Sequence, residues 1–338
     1  MPQARRILVT GGAGFIGSHS CKALAEAGAV PVVIDNLSTG HADNVRWGPL
    51  VEADLRDREA VLAALKAHDI QGILHFAASA YVGESVADPH AYYDNNVGGM
   101  MSLLSAAREA GVDQIVFSSS CATYGTPAAL PIHEDMPQAP INPYGRTKLV
   151  CEWMLRDYAP AYGMRHVALR YFNAAGADPG GALGERHTPE THLLPLTLLA
   201  AAGLRPALQV FGTDYPTPDG TCIRDYIHVA DLARAHVMAL DYLARGGDSV
   251  ALNLGTGQGQ SVREIIAAVE RVTGLPVPVT EAPRRDGDPP ELTADPARAA
   301  QVLGFRAEFT DIDTIVAHAA PWFVGPLPDA EPDDARRG

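Results

Sequence analysis

A chain of 338 residues, 47% hydrophobic and 20% charged, has the ordinary balance of a globular protein with a large core and two lobes. Its net charge of −14, with no Lys/Arg run longer than a pair, argues against nucleic acid and an anionic membrane surface as partners. A nucleotide ligand stays compatible, because helix dipoles and single arginines hold phosphates locally. Cys21, Cys121, Cys151 and Cys222 are far apart and form no C-x-x-C, so neither a metal site nor a disulfide framework is expected. They read as reduced thiols of a cytoplasmic protein. The apolar run behind Arg5-Arg6 is cut by glycine and reads as a strand rather than a signal. The apolar stretch His192–Leu204 contains Pro195 and is too short to cross a bilayer.

In chain order, Ile7-Leu8-Val9-Thr10 reads as a buried strand that meets a glycine cluster and then a helical pattern from Ser18 to Ala27. Gly12, Gly14 and Gly17 match G-x-G-x-x-G, and Gly11, Gly14 and Gly17 match the wider G-x-x-G-x-x-G. Either register describes a dinucleotide-binding turn, with phosphates at a helix N-terminus. Asp35 ends the next apolar run, 18 residues past Gly17, where a carboxylate reaches the adenosine ribose. It would repel a 2′-phosphate, and residues 36–41 contain no Arg, so NAD is favoured over NADP.

Strand and helix patterns then alternate: a strand over Gly48–Asp54, a helix over Arg56–His68, a strand over Ile70–Phe76, a helix over Tyr92–Gly111 and a strand over Gln114–Ser118. This predicts an α/β fold, a doubly wound parallel (Rossmann) sheet with its ligand crevice at the strands' carboxyl ends. A helix over Tyr144–Tyr162 and a strand over His166–Tyr171 follow, after which Gly, Pro and Ala dominate. The predicted division is an NAD-binding domain of 1–173 plus about 225–255, and a smaller mixed α/β substrate lobe of about 174–224 plus 256–325. The tail 326–338 has a disordered composition.

Tyr144 and Lys148 stand at i and i+4, on one helix face. An ammonium near a tyrosine, with reference pKa about 10, favours the phenolate, and a nicotinamide cation adds to that. Such a tyrosine acts as a general base near neutral pH. Ser120, 24 residues upstream at a strand end, is placed to share a hydrogen bond with a substrate hydroxyl and the phenol.

TGGAGFIGSH at 10–19, SSSCATYG at 118–125, NPYGRTK at 142–148, RYFNAAGA at 170–177, RDYIHVADLA at 224–233 and APRRDGDPPEL at 282–292 resemble the extended short-chain dehydrogenase/reductase family, in its nucleotide-sugar 4-epimerase branch. The likeness spans about 320 residues. It implies interconversion of UDP-glucose and UDP-galactose through transient oxidation at C4, with tightly bound NAD and a UDP-sugar substrate. It also implies a homodimer formed by the helices at 92–111 and 144–162.

By the same resemblance Ser120, Tyr144 and Lys148 are catalytic. Gly11, Gly14, Phe15, Ile16, Gly17, Asp35, Asn36, Asp54, Leu55, Phe76, Ala77, Asn95, Ser118, Tyr144, Lys148 and Phe172 line the cofactor. Ser120, Tyr144, Asn173, His192, Leu193, Phe211, Arg224, Arg285, Asp288 and Leu292 meet the substrate, with Arg224 and Arg285 on the diphosphate and Asp288 on the UDP ribose. Taken alone, Arg224 also reads as an ion-pair partner of Asp225.

Four positions depart from a familiar version of the pattern: Ala80 for a lysine, Ala122 for a threonine with Thr123 adjacent, His192 for an asparagine, and Leu292 at a pocket gate. Leucine there leaves room for N-acetylhexosamines or for the UDP-xylose/UDP-arabinose pair. Cys121 and Ala122 occupy the places of a 4,6-dehydratase's Asp-Glu pair and cannot perform that acid–base step. Outside this reaction, the competing classes are a net NAD(P)H reductase and a non-catalytic NAD-sensing protein.

Overall fold

The computed structural model describes residues 4–285 and 288–325; the tail expected to be disordered lies outside the described residues. In chain order the strands are β1 (Arg6–Thr10), β2 (Val30–Asp35), β3 (Leu50–Glu52), β4 (Gly72–His75), β5 (Gln114–Ser118), β6 (Arg165–Tyr171), β7 (Asn173–Ala175), β8 (Leu208–Phe211), β9 (Ile223–His228), β10 (Val250–Leu254), β11 (Gly259–Ser261), β12 (Val279–Ala282) and β13 (Glu291–Leu292).

Seven of them form one parallel sheet in the order β10-β6-β5-β4-β1-β2-β3. The chain leaves β1 for β2 and β3 on one side, then crosses to β4 and builds outward on the other. The order reverses beside β1, and the crevice over the carboxyl ends opens at that point. Ile7, Leu8, Val9, Val32, Val33 and Ile34 are all buried, because helices cover both faces of a parallel sheet. On one face Leu65, Leu104 and Leu155 come from the helices Arg58–Ala67, Gly99–Ala110 and Pro143–Tyr162. On the other, Leu24, Leu232 and Leu240 come from Phe15–Glu26 and Val229–Ala244.

The smaller lobe is built on β9, which pairs with β7 and β13 in parallel and with β11 antiparallel. A separate β8–β12 pair and the helices Leu193–Ala201, Val262–Thr273 and Ile312–Ala319 enclose its core around Leu198, Ile265 and Val316.

Two segments sit elsewhere than the sequence division placed them. β9 belongs to the small sheet, although the helix after it and β10 return to the large one. The helix Ala297–Leu303, expected in the substrate lobe, packs Ala299 and Leu303 into the large sheet's core. Apolar periodicity marks the buried face of an element, but not the sheet that buries it.

The helix predicted over Tyr92–Gly111 is Pro89–Tyr92, a wide π turn at Tyr93–Gly98 and the α-helix Gly99–Ala110. None of the described helices is long and apolar enough to cross a membrane. All four cysteines are buried and free.

Candidate active site

β1 ends in the glycine turn. Gly11 has φ +69°, a left-handed conformation that favours glycine, and a Cβ on it would come within 2.7 Å of Ala77 N. A Cβ on Gly17 would lie 2.2 Å from Gly11 O, so the helix packs against the turn only because that atom is missing. A Cβ on Gly14 would meet only Gly11 O, at 3.3 Å, which leaves its outer side open. Gly14 is also the N-cap of the helix Phe15–Glu26 and provides no side-chain cap. The turn therefore presents bare backbone N–H groups at a dipole's positive end, which suits a pyrophosphate. The wider register, Gly11-Gly14-Gly17, describes these roles. Phe15 turns its ring inward against His19, so its backbone and that of Ile16 carry any ligand contact.

Asp35 accepts hydrogen bonds from Ala13 N (3.0 Å) and Leu37 N (2.9 Å), tying the end of β2 to the turn. Burial pushes its pKa up. Asn36 donates to Asp54 (3.0 Å), and Arg56 grips the same carboxylate and holds it well below the usual carboxylate range. Leu55 is buried in the core. Phe76 packs on His236, with ring centres 4.6 Å apart, and Asn95 donates to Ser79 Oγ at 3.0 Å.

Tyr144 and Lys148 lie in the first two turns of Pro143–Tyr162, a helix started by Asn142, whose side chain accepts from Gly145 N at 2.8 Å. Lys148 is buried and donates to Ser118 O at 2.8 Å, with its Nζ 5.8 Å from the centre of the Tyr144 ring. Ser118 Oγ is paired with Tyr171 OH.

The sequence reading has the ammonium lowering the phenol's pKa. In the protein alone the balance goes the other way. Burial raises Tyr144 to about 12 against the opposing hydrogen bond of Ser120, and burial lowers Lys148 to about 8. The amine is engaged by a carbonyl rather than by the phenol, so the phenolate needs a further positive charge in the cleft. Ser120 Oγ accepts from Ala122 N at 3.1 Å. Thr123 is fully buried and donates to Ser120 O at 2.9 Å, so its hydroxyl does not replace the threonine missing at Ala122.

Phe172 and Asn173 stand where the chain leaves β6 of the large sheet and enters β7 of the small one. Leu292 on β13 pairs with Arg224 on β9, and its side chain joins the buried cluster of Cys121, Tyr124 and Phe172. Leu292 therefore sits beside Cys121, the neighbour of Ser120. Arg224 is paired with Asp288 and also donates to Ile223 O at 2.7 Å. Asp225 is not its partner; that carboxylate binds Thr256, Gly257 N and Ala294 N. Arg285 stacks over Phe211, its guanidinium carbon 4.0 Å from the ring centre. Four residues assigned to UDP thus face one another in two pairs. His192 caps the helix Leu193–Ala201, which Leu193 begins.

Two positions that hold this site together were missed in the sequence. Asn96, inside the π turn, accepts from Ser79 N (2.8 Å) and donates to Ser79 O and Thr147 Oγ1 (both 3.0 Å), joining the cofactor loop to the residue before Lys148. Glu152 accepts from Arg170 Nε (2.8 Å) and Nη2 (2.6 Å) and from Ser119 Oγ (2.6 Å), all of them buried. Its position was legible, because Tyr144, Lys148 and Glu152 follow at i, i+4 and i+8 on one face.

The fold and site define a dinucleotide-dependent enzyme. The profile of the NAD dependent epimerase/dehydratase family matches residues 7–255, and the chain belongs to that family. It is 56% identical to a UDP-glucose 4-epimerase of Rhizobium meliloti (strain 1021) over 320 residues, 95% of this chain and 97% of that protein. The structure of a UDP-glucose 4-epimerase from Brucella ovis in complex with NAD is 58% identical, with TM-score 0.94, over 96% of this chain and 100% of that one. A UDP-glucose-4-epimerase from Stenotrophomonas maltophila, with bound NAD and formylated UDP-arabinopyranose, is 43% identical, with TM-score 0.91, over 95% and 98%.

Proposed function

We propose that the chain is a UDP-glucose 4-epimerase that interconverts UDP-glucose and UDP-galactose with tightly bound NAD. The observation that carries this reading is the convergence of Ser120, Tyr144 and Lys148 on the crevice beside the bare glycine turn. The near full-length likeness to enzymes of that name supports it. Bound NAD⁺ supplies a hydride acceptor and the positive charge that the raised phenol lacks.

Tyr144 takes the proton of the sugar 4-hydroxyl, and Ser120 shares a hydrogen bond with both oxygens. Lys148, held by the Ser118 carbonyl, would bond the nicotinamide ribose and add its charge to the stabilisation of the phenolate. Arg224 and Arg285 leave Asp288 and Phe211 to hold the diphosphate, freeing Asp288 for the ribose and the Phe211 ring for the uracil side. His192 and Leu193 close that end. Phe172, Asn173 and Leu292 border the sugar, which is held loosely enough to present either face of its 4-keto form. With the hydride given back to the opposite face of C4, Tyr144 would return the proton, leaving C4 inverted.

Leu292 favours a second substrate range. A medium apolar side chain at the gate leaves space for an N-acetyl group or a pentose. We further infer a homodimer through the two helices named above, supported by the exposure of Met101 (57%) and Trp153 (52%) on them.

The test is to assay the purified protein with no added NAD on UDP-glucose, UDP-galactose, their N-acetyl forms, UDP-xylose and UDP-arabinose. Interconversion of the first pair is expected. If no pair interconverts, the reading fails; consumption of free cofactor one-for-one with substrate would make it a reductase. A monomer by light scattering would remove the dimer.

A further inference from the structure

The segment Glu185–His192 carries four potential metal ligands at E-x-H-x-x-E-x-H spacing: Glu185, His187, Glu190 and His192. One ligand atom from each lies within 4.8 Å of all the others. Nδ1 of His187 is 3.2 Å from Glu185 Oε1 and 3.6 Å from Glu190 Oε2, and Nδ1 of His192 is 3.7 Å from Glu190 Oε1. Zinc bonds of about 2.0–2.1 Å to nitrogen and oxygen, arranged tetrahedrally, give ligand–ligand edges of about 3.3 Å. Of the six ligand pairs, His187 with Glu185 is already near that edge, and Glu190 approaches His187 and His192 to 3.6 and 3.7 Å through its two different oxygens, so its carboxylate would turn to offer one of them. The pair His192 with Glu185 is in hydrogen-bond contact and would have to open.

A second observation points at a cation. His187 Nδ1 and Glu190 Oε2 are buried and, beyond their ion-pair contact, make no well-directed hydrogen bond, although the Glu190 side chain is only 8% exposed. Buried acceptors and ring nitrogens are normally paired. Arg186 faces away to Asp43 and Asn44; the rings that face the two carboxylates are His187 and His192, which those carboxylates raise against the effect of burial, so a metal ion would displace their protons. The sequence reading set metal binding aside on cysteine spacing, which says nothing of a His/Glu set.

We propose that Glu185, His187, Glu190 and His192 bind one divalent metal ion, with zinc the best fit. Two imidazole nitrogens and two carboxylate oxygens suit zinc; magnesium and calcium take oxygen ligands alone. Four protein ligands make the site structural rather than catalytic. Its loop lies against the cofactor side: the His187 ring is 6.3 Å from those of Phe15 and Tyr81, and Tyr81 OH donates to Pro189 O at 3.4 Å. The ion would fix this loop on the glycine turn and so set the position of Leu193. A metal on His192 Nδ1 and a substrate contact through that atom exclude each other. Only this consequence for substrate rests on the proposed function; metal binding does not.

The experiment titrates the NAD-loaded, chelator-treated protein with Co²⁺ and then with Zn²⁺, following visible absorption and the thermal midpoint. The expected result is one equivalent of cobalt with the intense bands of tetrahedral coordination, displaced by zinc, and a midpoint raised by zinc. His187→Ala and Glu190→Gln should each weaken binding by more than about tenfold, with NAD content as the check of folding. Weak six-coordinate bands in the unmodified protein, or titrations unchanged in folded variants, would overturn the site. If neither variant folds, the cobalt spectrum of the unmodified protein decides alone.

Discussion

The cofactor side and the sugar side of the crevice are prepared differently. On the cofactor side the polar groups are already bonded into the scaffold. Lys148 is held by the Ser118 carbonyl, Asn96 joins the cofactor loop to the catalytic helix, and Glu152 is locked to Arg170 and Ser119. On the sugar side Arg224 and Asp288 neutralise one another, and Arg285 covers the ring of Phe211. One side is bonded into the scaffold before ligand arrives; under the proposed function the other would exchange its internal pairs for ligand contacts. A cofactor that stays bound suits the first arrangement, and a substrate that enters, turns and leaves suits the second.

Acid should break the rigid side first. His75, His166 and His236 are packed within or against the large sheet, and burial lowers them from 6.5 to about 3, 4 and 4. The unfolded chain takes up these protons below about pH 6.5 and the folded chain does not. Their stability is intact above that pH and falls by about 1.4 kcal/mol per pH unit per group as pH drops toward 4. Urea midpoints at pH 7.5 and 5.0, read with NAD release, measure this; equal midpoints would refute it.

Tyr144→Phe should keep the fold and the NAD yet reduce turnover about 10²–10⁴-fold. Full turnover would remove Tyr144 as the base. Glu152→Gln leaves Arg170 charged and uncompensated inside the protein, and should cost about 3–5 kcal/mol in urea unfolding.

The sugar side responds more mildly. Arg224→Met should raise KM about 10–100-fold, the loss of one charge-assisted contact of about 1.5–3 kcal/mol, and spare kcat. An equal fall in kcat would place Arg224 in the chemistry instead. Leu292→Tyr should be the smallest change, shifting selectivity by about tenfold toward hexoses without an N-acetyl group. Competition between UDP-galactose and its N-acetyl form reads this directly.

The strands of the large sheet were legible, most to within a few residues, because each is a short apolar run that ends at a turn signal. Gln114–Ser118 has the predicted bounds. The glycine turn and the shared helix face of Tyr144 and Lys148 were legible for a related reason: both depend on spacing alone. The partners of Arg224 and Arg285 were not, since Asp288 and Phe211 are distant in sequence and ion pairs leave no periodic mark. The π turn that aims Asn96 was equally invisible.

By itself, then, the sequence determined the parallel α/β sheet, the dinucleotide turn, the i, i+4 spacing of Tyr144 and Lys148, and the family. Tertiary structure alone decided that β9 joins the small sheet while Ala297–Leu303 returns to the large one. It also decided that burial raises the Tyr144 pKa although a lysine stands one turn away, and that Glu185, His187, Glu190 and His192 converge. Spacing fixes what neighbours along one element can do. Dielectric, pairing and convergence depend on what the rest of the chain packs around it.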